Sequence, residues 1–406
     1  MAVTGTYLDV LTHLLKTRYI DRVNWAMKRK HVWLAHVKRQ KRALSGTTFT
    51  HPVMTAETQG VGPGAHTSDL PTPGYTAGIN PTWSPRPHRG RILVYAAAMF
   101  ATKDNLGAYL RAWALETDSL VRSFMVDVNN ETLGDGTGSL GYIESAQDAA
   151  TVTLTCNQGA RNNHLVQAGM YVDMIDADDN STKVLSNARV TARTATTVTL
   201  SSAPSGSASG DYFVRAGGNV SGTGYFFDGL HCIVNEADPT LANHGGLDRD
   251  TAANDRWKGL QHNFNSSFTL DDMDECHDEI LDNSDEVPDF AITRRSIQRL
   301  AGRTLFDKIR YTPQDTADLD PWPKVMYGKI PIYADTGVWS GELYFLTKNA
   351  FEFMQVNEPS WMDFDGAVPH RVTNKEAYEA TFTWHAAFAC HKPWACSRGY
   401  GIADPR

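Results

Sequence analysis

Residues 136–141, Gly136-Thr137-Gly138-Ser139-Leu140-Gly141, spell GxGxxG, the fingerprint of a dinucleotide-binding turn. That chemistry needs a buried strand before the glycines and a helix opening straight after them, so that a pyrophosphate rests on the helix N-terminus. Here the order is reversed: a helical period precedes the glycines and strand-like sequence follows, so they read as a helix stop and an interdomain turn. Three further groupings have metal or nucleophile character. Asp176, Asp178, Asp179 and Asn180 resemble part of a calcium loop but lack its sixth-position glycine and closing glutamate, which leaves a hairpin turn. Cys390, His391 and Cys396 match no paired CxxC knuckle, so they read as buried or incidental thiols. "GSASG" at 206–210 puts Ala208 where a nucleophile elbow needs serine, and neither a GxxxxGK loop nor an HExxH helix occurs. The sequence assigns no catalytic residue, no metal ligand and no cofactor, and the expectation is a protein that is not an enzyme.

Charge is distributed very unevenly. Between Lys16 and Arg42 lie ten basic residues and one acid, Asp21, giving this stretch +9 and leaving −17 of the net −8 to the remainder. Lys28, Arg29, Lys30, Lys38, Arg39, Lys41 and Arg42 are its densest part. Leu8, Leu11, Leu14, Leu15, Trp25, Trp33, Leu34 and Val37 are spaced for helices with a narrow apolar face. The basic face is open to three readings: solvation, contact with nucleic acid or an acidic partner, and binding at a membrane surface. Between Asp271 and Asp289 there are ten acids and no Lys or Arg, a solvated face, one that meets a basic partner, or a metal site.

The elements that carry these residues follow from periodicity. Ser45–Gly90 holds seven of the eighteen prolines and cannot be helix interior; with extended runs at Thr47–Met54 and Arg91–Phe100 on its flanks it predicts a long two-stranded excursion. Asp104 predicts the N-cap of a helix reaching about Leu133, roughly 40 Å long. Ser/Thr-rich strands then take over at Thr151–Thr155, Met170–Asp176, Lys183–Arg193, Thr197–Ser202 and Tyr212–Arg215, and no tryptophan lies between Ala114 and Arg256. They predict a small β-barrel or sandwich set into the chain. An α+β pattern returns at Gly217, including an acidic helix capped by Thr269 with Asp272 at the capping-box position. The segment around Phe382, Trp384 and Ala386 alternates as a long strand.

At 406 residues the prior is two or three domains, no apolar run is long enough to span a membrane, and five scattered cysteines argue against a disulfide framework. The expected setting is cytoplasmic, without a signal peptide.

One stretch has a more specific character. In "YFFDGLHCIVNEADPTLANHGGLDRDTAANDRWKG", Gly229 and Leu230 follow Phe227, and Gly246, Leu247, Asp248 and Arg249 precede Trp257. This pattern and the order of parts resemble the major capsid protein of tailed bacteriophages, the Hong Kong 97-type fold. The resemblance implies an α+β chain built of an N-terminal basic arm (1–44), an E-loop hairpin (45–100), a peripheral domain with a spine helix (101–137), a β-rich insertion domain (138–216), an axial domain (217–372) and a return strand of the peripheral domain (373–406). It implies a coat subunit that assembles with itself as pentamers and hexamers into an icosahedral shell around double-stranded DNA, made in the host cytoplasm. Scaffolding, portal and decoration proteins are the implied partners, with no membrane. Tyr75, Ile79, Trp83, Arg86 and Arg89 become candidate E-loop contacts to a neighbour, and the basic arm a contact to a neighbour or to DNA. The rival expectation is a phage-associated adhesin or decoration protein that binds host glycan through the β-insert.

Overall fold

The computed structural model describes residues 31–57, 60–63, 66, 69, 72–95, 106–154, 165–179, 182–194, 196–220, 223–236, 243–284, 286–306, 325–363 and 368–403, with backbone alone for 94, 95, 106–116, 220, 223, 224 and 306. The chain divides into two compact units.

The first unit takes Met1–Ala43, Pro85–Asn129 and Phe353–Ala387. Its sheet is organised by the 14-residue strand Ala377–Cys390. Arg86–Tyr95 runs antiparallel along it, from Ala377 opposite Tyr95 to Ala386 opposite Arg86. Ser360–Trp361, His370–Arg371 and Phe351–Gln355 also pair with it, and Lys38–Lys41 adds to Phe351–Gln355. Strand alternation sends Phe382 and Trp384 to the same face, where both meet Phe124 of the helix Leu106–Thr132, at centroid distances of 5.1 and 6.3 Å. Gly90 makes that approach close: a Cβ there would lie 2.8 Å from a Leu120 methyl.

The second unit takes Leu44–Ser84, Asn130–Glu352 and Phe388–Arg406. Its hairpin pairs Phe49–Thr50 with Thr82–Trp83 and Val53–Ala56 with Ala77–Ile79. Next comes a six-stranded sheet in the order Gly141–Tyr142, Tyr212–Arg215, Tyr171–Ile175, Lys183–Arg193, Thr197–Leu200, Thr151–Thr153. Ile143 bridges to Leu154, so the first and last strands meet and the sheet closes on itself as a barrel. Inward residues of alternating strands, among them Val152, Val172, Met174, Val190, Val198 and Phe213, fill it. A second six-stranded sheet runs Leu260–Asn263, Ser397–Tyr400, Leu343–Leu346, Phe290–Thr293, Ile330–Ala334, Val325–Tyr327. Two helices, Leu270–Ser284 and Arg295–Phe306, cover one of its faces with Met273, Cys276, Ile280, Ile297, Ala301 and Leu305. The acidic helix starts where its cap predicts: the Asp272 N–H donates to Thr269 Oγ1 at 3.1 Å.

Several expectations are corrected. The helical reading of the arm stops at Val32–His36; Lys38–Lys41 is a strand, because it pairs with Phe351–Gln355, with Arg39 half-buried and Lys38 and Lys41 exposed. Lys28, Arg29 and Lys30, like Asp104, lie outside the described residues. The returning arm of the hairpin is Ala77–Trp83, whereas Arg86–Tyr95 belongs to the first unit's sheet, so Arg86 and Arg89 are not on the excursion. Residues 353–372, expected in the axial domain, cluster with the first unit because Phe353–Gln355 pairs into that sheet.

Candidate functional site

Elements far apart in sequence converge at the root of the hairpin. Trp83, 4% exposed, lies 6.3 Å from Trp257 and 5.6 Å from His244, ring centre to ring centre, and its edge meets His391 at 5.6 Å. His51, on the other arm of the hairpin, meets His391 at 4.2 Å with its ring tilted, and Trp394 meets Trp257 at 6.2 Å. Trp83 therefore anchors the excursion within its own chain. The two arms are held in register by Phe49 opposite Trp83, both buried.

The motif of the sequence builds this joint. His244 is wholly buried; its Nδ1–H faces Asp228 Oδ2 at 3.1 Å and its Nε2 accepts the Cys390 N–H at 3.1 Å. An accepting Nε2 requires the neutral ring, and burial, more than any neighbour, lowers the histidine's pKa accordingly. The His244 carbonyl accepts the Trp257 indole N–H at 2.9 Å, with the two rings nearly parallel. Gly245 (φ +68°) and Gly246 (φ +69°) turn the chain in the left-handed region, and a Cβ on Gly245 would sit 2.7 Å from Pro81 beside Trp83. Arg249, wholly buried, donates to the Cys232 carbonyl at 2.8 Å and the Asn235 carbonyl at 3.1 Å, closing the C-terminus of the helix Leu230–Ile233. Gly229 packs on the carbonyls of Glu131 and Gly134, where no side chain fits. Asp248 orders the following turn by accepting the Asp250 N–H at 2.9 Å.

A separate cluster centres on Glu342, 1% exposed, which meets Arg398 at 2.6 Å, His231 at 3.1 Å and the Tyr344 hydroxyl at 2.5 Å. Burial pushes its carboxyl pKa up, but Arg398 and His231 outweigh burial and hold it at about 2. Nothing in the local sequence signalled this cluster, because its members come from three separate segments.

The remaining candidates lie apart. Tyr75 is 94% exposed and Met54 75%, on the hairpin; Ile79 is half-buried there. The stretch 44–84 carries no Lys or Arg. Arg39 is half-buried and, with burial the cause, its pKa falls to about 10; Lys41 pairs with Glu358 at 3.2 Å on the surface, and the Arg42 N–H donates to the Gln355 carbonyl. The glycines 136–141 are a turn: Gly136 (φ +89°) and Gly138 (φ +71°) follow the long helix, and Asp135 ties Thr137, Ser139 and Tyr142 together. The Asp176–Asp179 segment is a hairpin turn in which Asp179 caps the Thr182 N–H at 2.8 Å. Among the described residues no three His, Cys, Asp or Glu side chains are grouped to hold a metal, and no helix is long and apolar enough to cross a membrane.

No sequence model of a known family matches the chain, and no curated protein matches it. Solved structures do. A chain of the cyanophage A-1(L) capsid asymmetric unit superposes with a TM-score of 0.53 at 10% identity, covering 92% of this chain and 93% of its own length. A capsid chain of the native GTA particle gives 0.45 at 8% identity, covering 93% of this chain and 90% of its own length. Mycobacterium phage Bobi gives 0.45 at 8% identity, covering 92% and 90%. On the first of these, the chain has the tailed-phage capsid fold, the Hong Kong 97-type architecture.

Proposed function

We propose that the protein is the major coat subunit of a tailed phage, many copies of which assemble into the icosahedral shell around its double-stranded DNA. The observation that carries this reading is the likeness of fold to the cyanophage capsid chain over nine-tenths of both chains. The exposed hairpin supports it, since a two-stranded excursion with little core of its own buries its surface only against another molecule. Tyr75 and Ile79 are its contacts to a neighbouring subunit, and the basic strand Lys38–Arg42 with the arm before it meets an acidic surface of a neighbour. Scaffolding, portal and decoration proteins complete the partners, DNA contact is confined to non-specific backbone charge, and the subunit is made in the host cytoplasm and performs no catalysis.

Electron microscopy of the purified chain, alone and with its neighbouring gene products, tests the reading. Closed shells are expected; discrete small oligomers that bind glycan would replace it with the adhesin. The shell is held without E-loop isopeptide bonds, because no lysine lies between Arg42 and Lys103 to supply the amine. Mature particles boiled in detergent and reductant should run as a single band near 44.8 kDa.

A further inference from the structure

The two helices on one face of the second unit's large sheet carry opposite charge, each on an exposed face of a single sign. In Arg295–Phe306 the sheet side is Ile297, Ala301 and Leu305, and the outer side is Arg295, Arg299 and Arg303, all exposed, with no acid anywhere in the helix. In Leu270–Ser284 the sheet side is Met273, Cys276 and Ile280, and Asp271, Glu275, Asp278 and Asp282 stand exposed in a helix that contains no Lys or Arg. Like charges four residues apart weaken a helix. Arg295 in a first turn and Asp282 in a last turn also oppose the helix dipole. Among the described residues no carboxylate lies within ion-pair distance of Arg299 or Arg303, and no Lys or Arg within that distance of Asp271 or Asp282.

We propose that the arginine face of Arg295–Phe306 docks on the acidic helix Leu270–Ser284 of a second copy of this chain. Both ridges advance by about 6 Å per charged step, so two helices laid side by side bring Arg299 and Arg303 into register with acids such as Asp278 and Asp282. A nucleic acid is the poorer occupant, since the acidic helix on the same sheet face repels phosphate. Every copy presents both ridges, so the contact is either reciprocated by a two-fold or passed head to tail round a closed ring. The proposal rests on the shell reading for its many copies and adds to it a contact and a partner surface.

Charge reversal tests it in the full-length chain. R299E/R303E and D278R/D282R should each raise the concentration needed for self-association about tenfold in low salt, and the fourfold swap should restore it to within about threefold. The difference should shrink as salt rises. Sedimentation reads association, and electron microscopy of the wild type reads shells. Absence of shells together with swap-sensitive oligomers removes the shell reading and keeps the contact; shells indifferent to both reversals keep the reading and overturn the contact. An effect abolished by nuclease assigns the arginines to a polyanion and also overturns it. Should a reversal impair folding, judged by its circular-dichroism melt, R299Q/R303Q takes its place, with a weakening of about threefold expected and no change overturning the proposal.

Discussion

The closed barrel of residues 141–215 and the joint at the hairpin root lie in the same unit and are built on opposite plans. The barrel draws its core from one continuous stretch of chain, with short turns joining Tyr171–Ile175 to Lys183–Arg193 and Lys183–Arg193 to Thr197–Leu200. The joint draws His51 and Trp83 from the hairpin, His244 and Trp257 from the capsid-like motif, and His391 and Trp394 from the C-terminal segment. A structure of the first kind closes within a single stretch, while one of the second kind pays loop-closure entropy over the whole chain before its rings meet. The joint should therefore fail first under every stress.

The largest effect is expected from Trp257→Ala, which removes the ring beside His244 and the indole bond to its carbonyl, at about 3–5 kcal/mol. Chemical denaturation should show that loss with the barrel's amide resonances unmoved; their collapse together would break the comparison. Acid comes next. The folded-state pKa of His244 is depressed, so its contribution is present above the ordinary histidine value and is lost as pH falls below it. Asp173 in the barrel behaves likewise in a lower window: burial works against its ionisation, but Lys183 and the N–H groups of Asn187 and Gly217 outweigh burial and depress its pKa below the usual carboxylate value. Resonances of the joint should shift only as pH falls below the ordinary histidine value of about 6.5, and those of the barrel only below about pH 4; the reverse order would refute the assignment. Gly245→Ala follows, at about 1–2 kcal/mol, from a positive φ and a Cβ crowding Pro81. The smallest effect belongs to excision: residues 138–216 expressed alone should give a dispersed amide spectrum like that of the same residues in the whole chain, and a collapsed spectrum would deny the barrel its independence.

The same contrast explains what the sequence made legible. Lys183–Arg193 and Tyr212–Arg215 were delimited residue for residue, because polar turns and alternation are local signals. The long helix and its glycine stop were equally plain. Gly229, Gly246, Arg249 and Trp257 stood out as a pattern, yet their task did not, because the pattern omits Pro81, Trp83 and Cys390, which give those residues something to close on. Trp83 entered as an E-loop contact through the resemblance alone, and tertiary packing buries it. In the arm, a cluster of positive charge looks the same on a helix and on a strand, so Lys38–Lys41 took the wrong element.

The strand Arg86–Tyr95 pairs with Ala377–Cys390 alone among the described residues, leaving one long flank of main-chain groups open. An open flank of that kind is a template for a stray strand. Pro87 has no N–H to offer, and Arg89 and Arg91 place charge along the same strand, with Arg91 already engaged by Glu379. Proline and charge at such positions disfavour pairing with a stray strand.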